Sequence, residues 1–486
     1  MKRSFLALLC GIVLACGVAT AQPDYAFHAT PLGSAPIDPA IARAVASIKP
    51  SQIHQTIEKL VSFGTRNTLS SMETDLPPGR GINATADWIA GQFEEISREC
   101  GGCLEIKRDT FTADPASGAR WARRIQKPTQ ITNVYAVLRG TDPEQARRMV
   151  LVTGHYDSIN SNVLKNWADT SGDAPGANDD ASGVAVSLEC ARALSKLKFP
   201  GTIVFATVAG EEQGLVGSGH LAKLAKDEGW GLEAVLNNDI VGGNTTPGDT
   251  LQLKDRVRVF SEGVPQGATP EEALRIRDLG KENDSSSREL ARSIADTART
   301  YFSRPGASKP FSAFLVDRPD RYLRGGDHSS FNHEGFAAVR FTEWREDYNH
   351  QHKNVTKPAP GSGDPVMGDL IEFVDFNYVA QVARLNAATL ATLAAAPGLP
   401  LKVTIVNKMT ENGSTLTWEP PAGGGVAHYE VLWRETTAPN WQYVRQVAAT
   451  SPGETVTVSL PISKDNVIFG VRAVDAKGHR GLVSVP

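Results

Sequence analysis

Cysteine is scarce in this 486-residue sequence, and long runs of lysine and arginine are absent from it. The formal net charge is −4, whereas proteins that bind nucleic acid carry basic surfaces, so the sequence indicates no nucleic-acid partner. Beyond the first 21 residues, no apolar stretch reaches the roughly 20 residues needed to cross a bilayer, so no transmembrane segment is predicted. Low-complexity tracts are also missing, and an apolar content of 41% is typical of a folded protein.

The first 21 residues have the three parts of an export signal. Lys2 and Arg3 are followed by the apolar stretch 5–18 and by the small residues Ala19-Thr20-Ala21. A lipoprotein site at Cys16 is an alternative, although the bulky Leu14 fits that pattern poorly. The sequence therefore predicts an exported protein, either periplasmic or extracellular.

Three cysteines remain after this segment. Cys100 and Cys103 form a Cys-Gly-Gly-Cys motif, for which a local disulfide is the leading interpretation in an oxidising compartment. A zinc site or a redox-active dithiol is an alternative for this pair. Cys190 lies alone in an apolar helical stretch, which predicts a packed core thiol.

Helical and strand patterns alternate between residues 53 and 395, after a poorly patterned lead-in. Predicted helices span 53–63, 84–96, 181–197, 215–225, 287–302 and 376–395. Predicted strands span 131–138, 149–153, 202–209, 234–240 and 337–341. This alternation indicates an α/β fold with a mostly parallel mixed sheet flanked by helices.

The pattern changes after the linker 397–400, where short strand-like segments separated by turns predict a small all-β sandwich. Segments 416–420, 429–434 and 469–475 resemble those of a fibronectin type III module, and the sequence indicates no partner for it. The predicted organisation is a signal peptide at 1–21, a larger α/β domain at 22–399 and the β module at 400–486.

Acidic and histidine side chains follow successive predicted strands. They are His155, Asp157, Asp179, Asp180, Glu211, Glu212, Asp239, His350 and His352. Individually, the acids are also explained as helix N-caps or first-turn residues. Parallel strands bring their carboxyl ends to one sheet edge, where so many acids would repel one another without a cation. Histidine and carboxylate without thiolate suit zinc in a hydrolytic site.

Five blocks of the sequence resemble the signature blocks of a known protein family. They are 154–158 (GHYDS), 176–183 (GANDDASG), 210–218 (GEEQGLVGS), 238–242 (NDIVG) and 326–331 (GDHSSF). In order and spacing they are similar to the signature blocks of the di-zinc aminopeptidase family, which includes bacterial leucyl aminopeptidases and aminopeptidase Y. The resemblance extends from about residue 53 to 395.

The resemblance implies two zinc ions. Asp179 would bridge them, His155 and Asp239 would complete one site, and Glu212 with a later histidine would complete the other. It also implies a cis peptide bond between Asp179 and Asp180.

Two further roles follow from the same resemblance. Glu211 would be the general base rather than a ligand. Asp157 would be an acid that supports the metal-binding histidine without itself binding the metal.

The last ligand is either His350 or His352. The family places an acid four residues after this ligand, and here that position holds Asn354 or Thr356 respectively. Asparagine is the closer substitute for an acid, so His350 is the predicted ligand. His352 would then either support the metal ligands without binding the metal or face the substrate.

The function implied is hydrolysis at the N-terminus of peptides or proteins. A carboxypeptidase or dipeptidase of the same fold is an alternative. A glutaminyl cyclase would use one zinc ion and fits the full set of acids less well. A catalytically inactive binding protein is the alternative from a different class, and the intact Glu211 argues against it.

Overall fold

The computed structural model describes residues 23–26, 29–162, 170–303, 310–359, 361–406, 410–451 and 453–486. The predicted export signal lies outside these ranges. Within them, no helix has the length and apolar character required to cross a membrane.

The elements follow one another along two structural units. The strands are β1 Thr30–Pro31, β2 Leu104–Ala113, β3 Thr129–Leu138, β4 Arg148–His155, β5 Thr202–Val208, β6 Gly231–Asn238, β7 Arg256–Ser261, β8 Ser312–Val316, β9 Ala338–Thr342, β10 Leu401–Ile405, β11 Ser414–Glu419, β12 His428–Glu435, β13 Tyr443–Ala448, β14 Val456–Leu460 and β15 Val467–Val474. The helices are α1 Pro39–Ala46, α2 Pro50–Ser62, α3 Ile82–Glu99, α4 Ala181–Leu194, α5 Val216–Asp227, α6 Pro270–Asp278, α7 Ser286–Tyr301, α8 His328–His333 and α9 Phe376–Ala395.

Eight of the described strands form one mixed sheet in the order β2-β3-β5-β4-β6-β9-β7-β8. The four central strands β5, β4, β6 and β9 are mutually parallel, whereas β2, β3 and β7 each run antiparallel to at least one neighbour. The parallel strands place their carboxyl ends at one edge, where ligands bind in open α/β sheets. The predicted α/β class with a mostly parallel mixed sheet is confirmed.

The centre of the fold is apolar on both faces of the sheet. Every residue of β5 is buried, as its unbroken run of β-branched and apolar side chains predicts. Helix α4 is buried almost all round because it lies between the sheet and α9. Cys190 in α4 is a buried free thiol that contacts the carbonyl of Ala383 in α9, which confirms the predicted core position.

A disulfide joins Cys100 and Cys103, as the Cys-Gly-Gly-Cys motif predicts. It closes the turn between the end of α3 and the start of β2. Gly101 and Gly102 between them both adopt positive φ, at 80° and 84°, which a side chain would oppose.

The C-terminal strands form two antiparallel sheets, β1-β13-β12-β15 and β10-β11-β14. Their inner faces enclose a separate core that includes Trp418, Tyr429 and Val471. This agrees with the predicted small all-β sandwich, while its fibronectin type III character stays a prediction. Strand β1 comes from the N-terminal lead-in, yet it pairs with β13, Thr30 opposite Val444. A two-residue strand carries too little periodicity to reveal this pairing in the sequence.

Buried charges join the C-terminal β-sheets to α7 and to the segment just before it. Arg434 pairs with Asp284, and Arg472 Nη1 lies 3.1 Å from Oδ2 of Asp296. The indole Nε1 of Trp441 donates to Oε2 of Glu289 over 2.9 Å. Removing one partner of a buried ion pair is strongly destabilising, so these contacts hold the two units in one arrangement.

Candidate metal centre

His155 is the last residue of β4, and its ring is 1% exposed. Its Nε2 lies 3.1 Å from Oδ1 of Asp179 and 3.9 Å from Oδ1 of Asp239. Its Nδ1 lies 3.1 Å from the carbonyl oxygen of Asp157. Burial alone would lower the pKa of His155, but hydrogen bonds to Asp157 and Asp179 raise it well above its ordinary value. His155, Asp179 and Asp239 thus offer three ligand atoms around one point.

A second group of ligand atoms lies beside the first and shares Asp179. Nε2 of His352 lies 2.9 Å from Oδ2 of Asp179 and 3.0 Å from Oε1 of Glu212. The two carboxylate oxygens of Asp179 therefore face different groups, Oδ1 towards His155 and Oδ2 towards His352. This is the arrangement required of a carboxylate that bridges two cations.

The loop before α4 fixes Asp179. The Asp179–Asp180 peptide bond is cis, as the family resemblance implied. Oδ2 of Asp369 accepts from the backbone nitrogen of Asp179 over 2.7 Å, and burial raises the pKa of Asp369 to about 7. Asp180 caps α4 by accepting from the nitrogen of Gly183 over 2.9 Å. Its other oxygen accepts from the nitrogen of His155 over 3.0 Å, so Asp180 links two parts of the centre.

Asp157 is fully buried beneath the turn that follows β5. Its Oδ1 accepts from the nitrogen of Glu211 over 3.3 Å, and its Oδ2 accepts from the nitrogen of Glu212 over 3.2 Å. The hydroxyl of Thr68 also donates to Oδ2 over 3.1 Å. Asp157 therefore positions both the histidine of the first group and the turn that carries the two glutamates.

Glu211 is half-buried at the wall of a cavity of about 870 Å³. Burial raises the pKa of Glu211 well above its ordinary value, and the nearby carboxylates of Glu212 and Asp239 raise it further, against the opposing effect of His155. A buried carboxyl group whose pKa is raised above its ordinary value is suited to accept and return a proton. The cavity also reaches Glu212 and His352, so it opens onto the second group.

The donor set fits zinc. Each group contains one histidine and two carboxylates, with no thiolate, and the ligand atoms within a group lie within 4.8 Å of one another. Oε1 of Glu212 is buried and accepts no hydrogen bond, although Nε2 of His352 lies 3.0 Å away. A buried carboxylate oxygen without a donor is costly, and a cation between these atoms would remove that cost.

The structure brings together most of the site residues predicted from the sequence. They are His155, Asp157, Asp179, Glu211, Glu212, Asp239 and His352. His350 is not among them, because its ring stacks on Phe373 with centroids 3.8 Å apart. His352 therefore replaces His350 as the candidate for the last ligand.

The reason lies in the backbone. The nitrogen of His350 donates to the carbonyl of Asp347 over 3.1 Å, so the chain turns here, and His352 has a left-handed φ of 55°. Side chains two apart point the same way only in an extended segment. Asn354, on which the choice of His350 depended, instead donates from its side chain to Oδ1 of Asn162 over 2.8 Å.

Besides Asp369 and Thr68, the sequence reasoning missed two residues that contact the ligand carboxylates. Arg340, fully buried in β9, has Nη1 2.7 Å from Oδ2 of Asp239. Gln351 donates from Nε2 to Oδ2 of Asp179 over 3.0 Å. A single charged residue inside the strand Ala338–Thr342 is the signal that could have identified Arg340, because a buried charge requires a partner. Gln351 carries no comparable signal.

Comparison with known proteins shows the family to which the chain belongs. Residues 133–364 match the model of peptidase family M28. A probable zinc metalloprotease of Pyricularia oryzae is 43% identical over 457 residues, covering 92% of this chain and 84% of the relative. A probable zinc metalloprotease of Leptosphaeria maculans is 42% identical over 447 residues, covering 92% of this chain and 96% of the relative. Among solved structures, the LapA aminopeptidase of Legionella pneumophila aligns with a TM-score of 0.47 and 19% identity over 80% of each chain. The chain belongs to peptidase family M28.

Proposed function

We propose that the protein is a zinc-dependent aminopeptidase that holds two zinc ions and releases residues from the N-terminus of peptides. The observation that carries the proposal is the position of Asp179, whose two carboxylate oxygens face two separate histidine-containing groups. The names of the relatives, probable zinc metalloproteases, support the choice of metal.

The chain's own residues define the two binding positions. His155, Asp179 and Asp239 would hold one ion, and Asp179, Glu212 and His352 the other. Zinc ions held there would supply Lewis acidity that polarises the peptide carbonyl. Asp157 holds the ring of His155 and the Glu211–Glu212 turn, so the ligands and the base keep a fixed relative position.

Glu211 is the proposed general base. It lines the cavity beside Glu212 without belonging to either group of ligand atoms. Its carboxylate would accept a proton from the attacking water and deliver it to the amine of the departing peptide. Proton transfer of this kind contributes roughly 10²–10⁴-fold to rate.

Preference for N-termini follows from charge and from the family resemblance. The ammonium form of a free α-amine is attracted to carboxylates such as those of this centre, and the neutral form can donate its lone pair to a zinc ion. A carboxypeptidase would recognise the C-terminus of the peptide and a dipeptidase both termini of a dipeptide, so the product identifies the class.

The experiment compares the tripeptide amide Leu-Ala-Ala-NH₂ with its N-acetylated form, using zinc-loaded and chelated protein. We expect leucine to be released from the free amine only, by the zinc-loaded protein only, with two zinc ions per chain by metal analysis. Cleavage of the acetylated peptide at an equal rate would contradict the aminopeptidase assignment. Full activity of metal-free protein would contradict the metal assignment.

We also propose that the protein is exported to the periplasm or the medium. The Cys100–Cys103 disulfide supports this, because disulfides persist in oxidising compartments. Sequencing the N-terminus of protein recovered from fractionated cells tests it: a start immediately after Ala21 in the exported fraction is expected. Uncleaved protein confined to the cytoplasm would contradict it.

A further inference from the structure

The cavity in front of Glu211 has a strongly cationic wall. Four arginines line it, namely Arg120, Arg123, Arg124 and Arg324. Among the described residues, the acids lining the same cavity are Glu211 and Glu212, which belong to the candidate metal centre. With cations bound to that centre, the charge of the remaining wall is positive.

Three of these arginines lie on one 3₁₀ turn, residues 120–124. Nη1 of Arg124 donates to the carbonyl of Glu212 over 3.2 Å. This contact anchors the 3₁₀ turn to the loop after β5 that carries Glu211 and Glu212. A Cβ placed on Gly214 would lie 3.2 Å from Cβ of Trp121, so turn and loop are in direct contact. The arginines are therefore held beside the proposed base rather than on a remote surface.

Arg324 reaches the centre from another segment. Its Nη1 donates to Oε1 of Gln351 over 3.1 Å, and Gln351 in turn donates to Oδ2 of Asp179 over 3.0 Å. Cationic side chains thus connect to the centre through both Glu212 and Asp179.

The arginines of this cavity wall differ in how far nearby acids neutralise their charge. Arg120 and Arg123 are exposed, and neither forms an ion pair with an acid in the described part of the chain. Arg324 is partly neutralised, since its Nη1 lies 3.4 Å from Oε2 of Glu346. Guanidinium groups bind carboxylates through paired hydrogen bonds, so two unpaired arginines in a cavity form a carboxylate-binding surface.

We propose that this cavity selects peptide substrates that carry a carboxylate, with Arg120 and Arg123 as the residues that bind it. The carboxylate comes from an acidic side chain or from the C-terminus of a short peptide. This inference rests on the proposed function of the site and adds a substrate class to it.

The test uses three peptides with the same N-terminal leucine. Leu-Ala-Ala-NH₂ has no carboxylate, Leu-Ala-Ala has one at its C-terminus, and Leu-Glu-Ala-NH₂ has one on a side chain. The measured quantity is the ratio of kcat/KM for leucine release from each acidic peptide to that from Leu-Ala-Ala-NH₂. We expect a ratio of about ten or more for at least one acidic peptide, the scale of one charge-assisted hydrogen bond. The ratio should fall as salt is added.

The double variant Arg120→Ala/Arg123→Ala should bring the ratio close to one. The matched control is Arg98→Ala, which removes an exposed arginine at the end of α3 and should keep the wild-type ratio. Which acidic peptide shows the preference identifies the source of the carboxylate.

The outcomes separate the two proposals. If the wild-type protein releases leucine from all three peptides at equal efficiency, or if the double variant keeps the preference, the carboxylate inference is overturned and the aminopeptidase proposal stands. If no peptide loses leucine, both are overturned. A preference that does not respond to salt also contradicts binding through exposed arginines.

Discussion

Nη1 of Arg340 lies 2.7 Å from Oδ2 of Asp239 in the interior of the protein. Nη2 of the same guanidinium donates to the backbone carbonyl of Asp239 over 3.3 Å. The arginine therefore holds both the main chain and one carboxylate oxygen of Asp239. The other oxygen, Oδ1, is left on the side of His155, 3.9 Å from its Nε2.

Arg340→Lys should weaken zinc binding by roughly 10–100-fold, because an ammonium group cannot reproduce the paired contacts that orient Asp239. Competition with a chromogenic chelator measures the affinity. Arg434→Lys is the matched control, since Arg434 is equally buried and pairs with Asp284 at the unit interface. It should lower stability without changing zinc affinity. Equal zinc affinity in wild type and Arg340→Lys would contradict the role given to Arg340.

His352→Ala should lose one of the two zinc ions and nearly all activity, because His352 belongs to a ligand group. His350→Ala should retain both ions, since its ring stacks on Phe373 away from that group. Metal analysis after dialysis compares the two variants. The opposite result, with metal lost only from His350→Ala, would restore the choice made from the sequence.

Glu211→Gln should keep both zinc ions and lose roughly 10²–10⁴-fold in kcat. Glutamine keeps the shape of the side chain but cannot accept the proton. Glu233→Gln serves as a control, because Glu233 is a salt-bridge partner of Arg148 on the far end of β6. Loss of metal from Glu211→Gln would show that Glu211 is a ligand rather than the base.

The buried carboxyl group of Glu262 should make the free energy of unfolding depend on pH. Burial raises its pKa from 4.5 to about 7. The folded state therefore holds this proton more tightly than the unfolded state, so its contribution to stability is complete below pH 4.5 and is lost as pH rises through 7. The loss is up to about 3 kcal/mol at 1.36 kcal/mol per pKa unit.

Glu262→Gln should remove that loss. The free energy of unfolding of the variant, relative to that of wild type, should be higher at pH 8 than at pH 5. Urea denaturation of both proteins at the two pH values measures this difference. Glu58→Gln, at an exposed position on α2, should show no such gain. An identical pH profile for Glu262→Gln and wild type would contradict the raised pKa.

Deleting residues 401–486 should strongly destabilise the protein, because it removes Arg434, Trp441 and Arg472 from buried acids of the other unit. Within the full chain, Arg434→Met should cost up to about 3 kcal/mol, because Asp284 loses its interface partner and keeps only the longer contact with Arg292. Breaking the exposed pair Lys402–Glu419 with Glu419→Gln should cost at most about 1 kcal/mol. A truncated protein with wild-type thermal stability would show that the units are independent.

The sequence predicted the centre of the fold better than its edges. Strand β5 and helix α4 were found because burial on nearly all sides requires mostly apolar and small side chains. Strand β2 was missed because it lies at the sheet edge, where Leu104–Ala113 carries charged and threonine side chains. Charged residues are common on edge strands because they prevent pairing with another chain. Helix α1 was missed because its eight residues are too few to show a clear period.

The candidate site was predictable where residues follow strands directly. His155 and Asp239 lie at or just beyond the ends of β4 and β6, so the parallel sheet alone brings them together. The final histidine lies in an irregular turn, and its left-handed φ of 55° has no signature in the pattern of residue types. The identity of the last ligand, His352 rather than His350, therefore depends on the backbone conformation of this turn.

The pairing of Thr30 with Val444 has a consequence for biosynthesis. The first described strand leaves the ribosome long before its partner strand has been made. Closing so long a loop costs entropy that local contacts do not repay, so this pairing comes late. A chain released before β13 leaves its N-terminal segment unpaired and open to proteolysis. Pairing of β1 with β13 thus reports that synthesis has passed residue 448.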